Sequence, residues 1–182
     1  MKATGIVRRI DDLGRVVVPK EIRRTLHIRE GDPLEIFTDR EGEIILKKYS
    51  LIGELGGFAK QYAEALAQTS GHIVSITDRD QHIAVSGQGK KELLGKPLSK
   101  ALERMIHQRI SNCCPDKDKA FAELIPGEEN EFKYETICPI IAEGDAIGAV
   151  IIATRDEKYK MGEVEKKLAA AAAGFLGRQM EQ

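Results

Sequence analysis

Basic side chains crowd the start of the chain, and their chemistry suits a polyanionic partner. Residues 1–29 hold eight Lys or Arg against three Asp or Glu, a net charge of +5, whereas the whole chain carries −1. The remaining residues therefore carry −6. Guanidinium groups bind phosphate bidentately and can read the edge of guanine. A basic end joined to a mildly acidic body indicates one domain for a polyanion and another for a different task.

Two strands and a short helix should carry these basic residues. Runs rich in β-branched side chains predict strands over residues 4–10 and 15–18, on either side of a turn at 11–14. Pro19 should end the second strand and begin a helix over residues 20–26. A hairpin follows, with predicted strands over 33–38 and 43–48.

The first fifty residues are too few to bury their own apolar surface. Nineteen of them are apolar, and none is a cysteine that could form a disulfide or a metal site. Domains below about 60 residues are marginal without such staples, and a helix of about seven residues is unstable alone. We therefore predict an obligate dimer, which doubles the local charge to about +10.

The order of motifs in this segment identifies a family. The 11–14 turn, Pro19, the pair Arg23-Arg24 and the later Gly31-Asp32-Pro33 together resemble the AbrB-type swapped-hairpin transcription regulators over residues 1–50. The resemblance implies an interleaved β-barrel dimer that exchanges hairpins between chains and binds double-stranded DNA. The DNA-binding residues that we predict from it and from the local charge are Arg8, Arg15, Arg23, Arg24, Lys20 and Lys2.

The residues alone leave other interpretations of these arginines open. They could form a solvated face, or Arg15 could pair with Asp11 or Asp12 inside the turn. Strand parity does not choose Arg8 over Arg9, so that choice comes from the resemblance. We expect His27 to be a surface residue rather than a DNA contact.

Residues 55–182 should form a second domain of mixed helix and strand. Helices are predicted over 55–69, with Gly71 ending the first of them, and over 97–110. Strands are predicted over 73–77, 83–86, 121–125, 132–141 and 146–154.

A last helix carries an a/d seam, in which apolar residues alternate steps of three and four. Its members are Met161, Val164, Leu168, Ala171 and Phe175. The seam could pack onto the domain's own sheet, or it could form a bundle with the 55–69 helix and another chain. The second arrangement would join dimers into a homotetramer.

The element order of this second domain resembles the GAF fold, a small-molecule sensor. The similarity includes residues 73–78 and 144–151. It implies an α+β protein in which the swapped-hairpin barrel precedes a GAF-like domain with an antiparallel sheet and bundle-forming terminal helices. No ligand-binding residue can be assigned, and we expect no cofactor beyond an unidentified small molecule, and no metal.

Nothing in the sequence indicates catalysis. The four histidines have no metal-ligand spacing, and no nucleophile elbow or Walker loop is present. Cys113 and Cys114 are expected to be inert thiols in a loop before Pro115, and Cys138 a core residue of a strand. The missing catalytic motifs predict that the protein is not an enzyme. The absence of a signal peptide and of a long apolar run predicts a cytoplasmic protein.

Taken over its whole length, the chain resembles regulators of sporulation genes that act in the forespore of spore-forming Bacillus relatives, as activators or repressors associated with the nucleoid. Two alternatives remain open. One is an antitoxin-like protein that binds a toxin and regulates its own gene, although such proteins usually carry a short, disordered acidic tail. The other is a ligand-binding protein for which DNA contact is incidental.

Overall fold

The computed structural model describes residues 5–50, 52, 56–88, 90–127 and 131–181. The chain divides into two compact units, Met1–Tyr49 and Ser50–Gln182. Lys2 of the predicted DNA-binding set lies outside the described residues. No described helix is both long enough and apolar enough to cross a membrane.

The first unit holds one helix and one hairpin, both as predicted. Helix α1 spans Lys20–Thr25 and starts after Pro19, whose φ of −56° leads into the helix. Strands β1 (Leu34–Thr38) and β2 (Ile44–Lys48) pair antiparallel, with Ile36 opposite Leu46. Gly42 closes their turn with a φ of +84°.

The strands predicted over 4–10 and 15–18 are wrong for the single chain. Residues 5–10 and 15–18 form no β-ladder and are instead joined by a closed turn, in which the Asp11 N–H donates to the Arg15 carbonyl at 3.0 Å. Val7 is 85% exposed and Val17 is 69% exposed. A β-branched run becomes a strand only when it pairs with a neighbouring strand, and the described residues form no such ladder here.

The described part of the first unit has no hydrophobic core. Pro19 is its single buried residue. Large apolar side chains lie exposed along its whole length: Ile6, Val7, Ile10, Leu13, Val16, Val17, Leu26, Ile36, Ile44 and Leu46. Burial of apolar surface is the main favourable term in folding, so this unit needs a partner surface to be stable.

The second unit is built on a five-stranded antiparallel sheet of order β4-β3-β7-β6-β5. Its strands are β3 (Ile73–Thr77), β4 (His82–Ser86), β5 (Asn112–Pro115), β6 (Tyr134–Ala142) and β7 (Asp145–Thr154). Its helices are α2 (Gly56–Ser70), α3 (Lys90–Leu93), α4 (Lys100–His107) and α5 (Glu163–Gln179). As predicted, Gly71 ends α2, with a φ of +73°.

Both faces of this sheet are covered, which explains why the central strand β7 is buried from Ile147 to Thr154. Helices α2 and α5 cover the first face with small side chains such as Ala63 and Ala172. Leu102 of α4 and Leu124 of the connection between β5 and β6 cover the second face.

Two predictions about the second face are wrong. The strand predicted over 121–125 is an irregular segment, and residues 120–125, here called the strap, are held by side-chain hydrogen bonds instead of a ladder. Cys113 and Cys114 lie in the edge strand β5 rather than in a loop. Both the segment 121–125 and the segment around Cys113 lack the alternating apolar pattern that identifies a strand from sequence, so neither could be assigned correctly.

Helix α5 is apolar on two sides. Ala169, Ala172 and Leu176 face the sheet and are fully buried. The predicted seam lies mostly on another side, where Val164 is 66% exposed and Phe175 is 39% exposed. Met161 is the seam residue that is buried, and it lies just before the helix begins.

Two glycines of α5 differ sharply in the space around them. A Cβ on Gly177 would lie 2.1 Å from the Ile141 carbonyl oxygen, whereas a Cβ on Gly174 would meet no atom within 4 Å. Only a residue without a side chain lets α5 approach β6 so closely at position 177.

We expect Gly177→Ala to lower the free energy of unfolding by about 2 to 4 kcal/mol, because the added methyl group forces the helix from the sheet. Gly174→Ala is the matched control and should stabilise the chain by about 0.5 to 1 kcal/mol through helix propensity. Thermal and urea unfolding of both variants measure the difference. A neutral Gly177→Ala variant would contradict the close packing.

Candidate nucleic-acid interface

The connection after α1 fixes this helix to the hairpin of the first unit. Lys48 on β2 donates to the His27 carbonyl at 2.7 Å and forms a salt bridge with Asp32 at 2.9 Å. Asp32 also accepts from the Arg29 N–H at 2.8 Å. Burial acts to raise the pKa of Asp32, but these hydrogen bonds outweigh it and hold the pKa below its usual value.

Three of the predicted DNA-binding residues lie on α1. Lys20 and Arg24 are exposed and are four residues apart, so they share a side of the helix. Arg23 is half-buried. His27 is exposed, as expected, and has a φ of +53° just after the helix.

Arg8 and Arg9 are both exposed on the segment before the turn. The structure therefore gives no ground for preferring one over the other, and Arg8 stays a prediction. Together with Arg15 they place guanidinium groups on both sides of the 11–14 turn.

Arg15 pairs with Asp11, one of the two partners that the sequence allowed. Its Nε donates to Asp11 Oδ2 at 2.8 Å, and its side chain remains 68% exposed. The other oxygen, Asp11 Oδ1, accepts from the backbone N–H of Leu13 at 3.0 Å and of Arg15 at 2.8 Å. The Arg15 N–H and then its guanidinium lower the pKa of Asp11.

Acidic side chains in the first-unit hairpin do not form a convincing metal site. Asp39, Glu41 and Glu43 place carboxylate oxygens within 4.8 Å of one another, but all three are exposed. Asp39 Oδ1 already accepts from the N–H groups of Glu41 and Glu43, so it shapes the turn.

Sequence reasoning missed a set of buried and half-buried polar side chains in the second unit. Asn112 donates to the Ala120 carbonyl at 2.9 Å, and the Ala122 N–H donates to Glu135 at 2.7 Å. Ser99 donates to the carbonyl of Glu123. Each side chain therefore satisfies one backbone group of the strap.

Glu135 lies on the second face of the sheet with no exposed surface. Its Oε1 accepts from Asn112 at 2.7 Å, whereas its Oε2 is buried without a hydrogen-bond partner. Burial raises the pKa of Glu135 to about 7, against the opposing effect of its two donors. Glu135 is the one charged residue in the sequence of β6, and this was the signal that could have singled it out.

His82 secures the other end of the strap. Ser75 donates to its Nδ1 at 2.7 Å, and its Nε2 donates to the Leu124 carbonyl at 3.3 Å. Burial lowers the pKa of His82 to about 4, so the ring is neutral at physiological pH. On the opposite edge strand, where Cys114 pairs with Glu135, burial raises the pKa of the Cys114 thiol to about 12, which leaves this cysteine protonated and unreactive.

Comparison with known proteins covers both units. Residues 54–181 match the family described as stage V sporulation protein T C-terminal, transcription factor. Over 182 residues the chain is 60% identical to stage V sporulation protein T of Bacillus subtilis (strain 168), and the match covers all of both chains. The chain belongs to the stage V sporulation protein T family. It is therefore a transcription regulator and not an enzyme.

Other matches fall on single units of this family member. Its first unit is 67% identical over 49 residues to the transition state regulatory protein AbrB of Bacillus subtilis, a match that covers 27% of this chain and 50% of the relative. Residues 7–53 also match a family described as antidote-toxin recognition MazE, bacterial antitoxin. The predicted AbrB-type character of the first unit is confirmed.

The second unit has the predicted GAF-like fold. It is similar to the GAF domain of the phosphoenolpyruvate-protein phosphotransferase from Acinetobacter, with a TM-score of 0.57 and 14% identity. That match covers 74% of this chain and 84% of the other. At this identity the similarity concerns the fold alone.

The raised pKa of Glu135 predicts a stability cost that grows with pH. An unfolded glutamate ionises near 4.5, whereas the folded one ionises near 7. Between these values the folded chain binds more protons, so the free energy of unfolding should fall as pH rises. Relative to Glu135→Gln, the wild type should lose about 2 to 3 kcal/mol between pH 5 and pH 8.

Urea unfolding of both proteins across this pH range measures the effect. Glu131→Gln changes an exposed carboxylate on the preceding segment and should leave the wild-type pH dependence intact. His82 contributes stability that is lost as pH falls from 6.5 towards 4. Because all three proteins contain His82, this effect cancels in the comparison. Parallel pH curves for wild type and Glu135→Gln would show that folding does not raise the pKa of Glu135.

Proposed function

We propose that the chain is a sequence-specific, DNA-binding regulator of sporulation genes, in which residues 1–50 contact DNA and residues 55–182 control assembly or sense a ligand. The supporting observation is the 60% identity over the full length to a stage V sporulation protein. The proposed contacts are Arg8, Arg15, Arg23, Arg24, Lys20 and Lys2. No metal or cofactor is required for this activity.

A dimer is the proposed DNA-binding species. The exposed apolar side chains of the first unit need a surface to cover them, and a second copy presents the same apolar set in return. Residues 5–10 and 15–18, which form no β-ladder in the single chain, would form strands with that copy. Two basic segments would then face one duplex, which raises affinity through counterion release.

A tetramer is proposed through the outer side of α2 and α5. Phe175 of α5 stacks on Tyr62 of α2 with ring centroids 5.4 Å apart, and it contacts the tilted ring of Phe58 at 5.7 Å. Phe58 and Phe175 stay partly exposed, and Val164 extends this apolar stripe along α5. A second copy of the same helix pair would complete a four-helix arrangement.

The place of action is proposed to be the cytoplasm of the forespore, where the chain would associate with the nucleoid as an activator or a repressor. Fluorescence microscopy of a tagged chain in sporulating cells checks this assignment. Uniform signal in the mother cell would count against it.

The ligand of the GAF-like domain is proposed to be a small molecule, because such folds enclose one face of the sheet. Calorimetry with nucleotides and amino acids, with and without bound DNA, tests for it. A ligand that controls the regulator must change DNA affinity by the same factor as DNA changes ligand affinity.

The antitoxin alternative is supported by the match of residues 7–53 to an antitoxin family. The folded second unit argues against it, since it replaces the short acidic tail expected of such proteins. Stoichiometric co-purification of a small toxin protein would favour this alternative.

DNA binding should depend on the two arginines of α1. We expect Arg23→Ala/Arg24→Ala to weaken binding at least about tenfold and to flatten the dependence of affinity on salt. Arg40→Ala, which removes an exposed arginine of the hairpin turn, is the control. Footprinting on genomic DNA at several salt concentrations provides the measurement, and retained affinity with an unchanged dimer would contradict the proposed interface.

Assembly should depend on the aromatic stripe. Phe175→Glu places a charge in the proposed interface and should give dimers in place of tetramers. Ala170→Glu adds the same charge to another exposed side of α5 and should leave tetramers intact. Sedimentation velocity distinguishes the species, and tetramers of Phe175→Glu would exclude this surface as the contact.

A further inference from the structure

The turn at residues 11–15 contains an acid where a DNA-binding surface would ordinarily avoid one. Asp11 adds a negative charge to the most basic part of the chain, and its side chain is 36% exposed. In a surface selected only for attraction to phosphate, such a carboxylate would weaken binding. Its hydrogen bonds indicate why it is there.

Asp11 makes one contact beyond the backbone bonds that shape its turn, and that contact is with the Arg15 side chain. One oxygen accepts from the N–H groups of Leu13 and Arg15, and the other accepts from Arg15 Nε at 2.8 Å. The backbone closes the same loop, since the Gly14 N–H donates to the Asp11 carbonyl at 3.0 Å. All of these bonds are local, so they need no second chain.

The Asp11 contact engages only the inner edge of the guanidinium. Among the residues that the structure describes, no partner is found for the Nη groups of Arg15, which hold most of its donors. An arginine bound through Nε keeps its outer edge available for a phosphate or a guanine. It has also already lost much of the rotamer freedom that binding would otherwise remove.

We propose that Asp11 is a positioning residue for DNA recognition, which holds the Arg15 guanidinium in its binding orientation before DNA arrives. This inference rests on the proposed function, because it assumes that Arg15 contacts DNA. Asp11 thereby favours DNA binding, although its negative charge alone would weaken it.

Two asparagine substitutions separate positioning from charge. Asp11→Asn keeps an oxygen for the Leu13 and Arg15 N–H groups but places an NH₂ group opposite Arg15 Nε, so it frees the guanidinium without opening the turn. Asp12→Asn removes the same charge one residue later, from an exposed side chain for which the described structure gives no side-chain hydrogen bond. The probe is a duplex that the wild-type chain protects in footprinting.

Asp11→Asn should weaken binding to this duplex by about three- to tenfold, through the lost preorganisation of Arg15. Asp12→Asn should bind within about twofold of wild type, and more tightly rather than less. If Asp11→Asn bound as tightly as wild type, or more tightly, the positioning role would be overturned.

A double-mutant cycle shows whether the effect passes through Arg15. Arg15→Ala alone should weaken binding by about tenfold, and adding Asp11→Asn to it should change nothing further. An equal loss in both backgrounds would mean that Asp11 only shapes the turn, which overturns the inference and leaves the proposed function standing. If Arg15→Ala bound like wild type, the assignment of Arg15 to the DNA interface would fail as well.

Nuclear magnetic resonance of Arg15 Nε–Hε in the free protein gives an independent readout. The wild-type signal should be protected from exchange with water, and Asp11→Asn should lose that protection while backbone amide signals of α1 stay in place. A wild-type signal that exchanges as fast as that of Arg8 would overturn the proposal.

Discussion

The need to bury apolar surface governs both units of this chain, and each meets it differently. The second unit encloses its sheet between helices on one face and a helix with the strap on the other. The first unit leaves residues such as Val7, Ile10 and Val17 in solvent. The fold of the first unit therefore depends on contacts between chains. The positions of its basic residues depend on the same contacts.

In the second unit, polar side chains hold the strap in place by hydrogen bonds to its backbone, so the strap needs no β-ladder. Asn112, Ser99, Glu135 and His82 come from four different elements, and each binds the backbone of the strap. These bonds satisfy groups that a ladder would have paired. This arrangement leaves Oε2 of Glu135 without a hydrogen-bond partner, which lowers stability because a buried acceptor without a donor is unfavourable.

Periodicity made most of the second unit predictable from the sequence. The structure places the strands predicted at 73–77 and 146–154 within one residue of those bounds. The last helix, predicted from its apolar seam, is also present. The strap and β5 have no such pattern, because hydrogen bonds from residues distant in the chain determine their shape. Sequence spacing cannot reveal those partners.

In the first unit, local turn chemistry was predictable and pairing was not. Pro19 and Gly42 mark the helix start and the hairpin turn through their own backbone preferences. The strands predicted over 4–10 and 15–18 need a neighbouring strand, and the described residues 5–10 and 15–18 form no ladder in the single chain. For the interface, the sequence named Asp11 as a possible partner of Arg15, but only the geometry shows that both carboxylate oxygens are used.

A binding surface that two chains must build together responds to the number of chains present. At low expression, encounters are rare and few complete surfaces form; each further copy raises the yield more than proportionally, since pairing depends on the square of concentration. If a second chain completes the first unit as proposed, the exposed apolar surface of its described residues would make the amount of protein part of the control. Contacts through the second unit would lower the threshold concentration by keeping chains near one another.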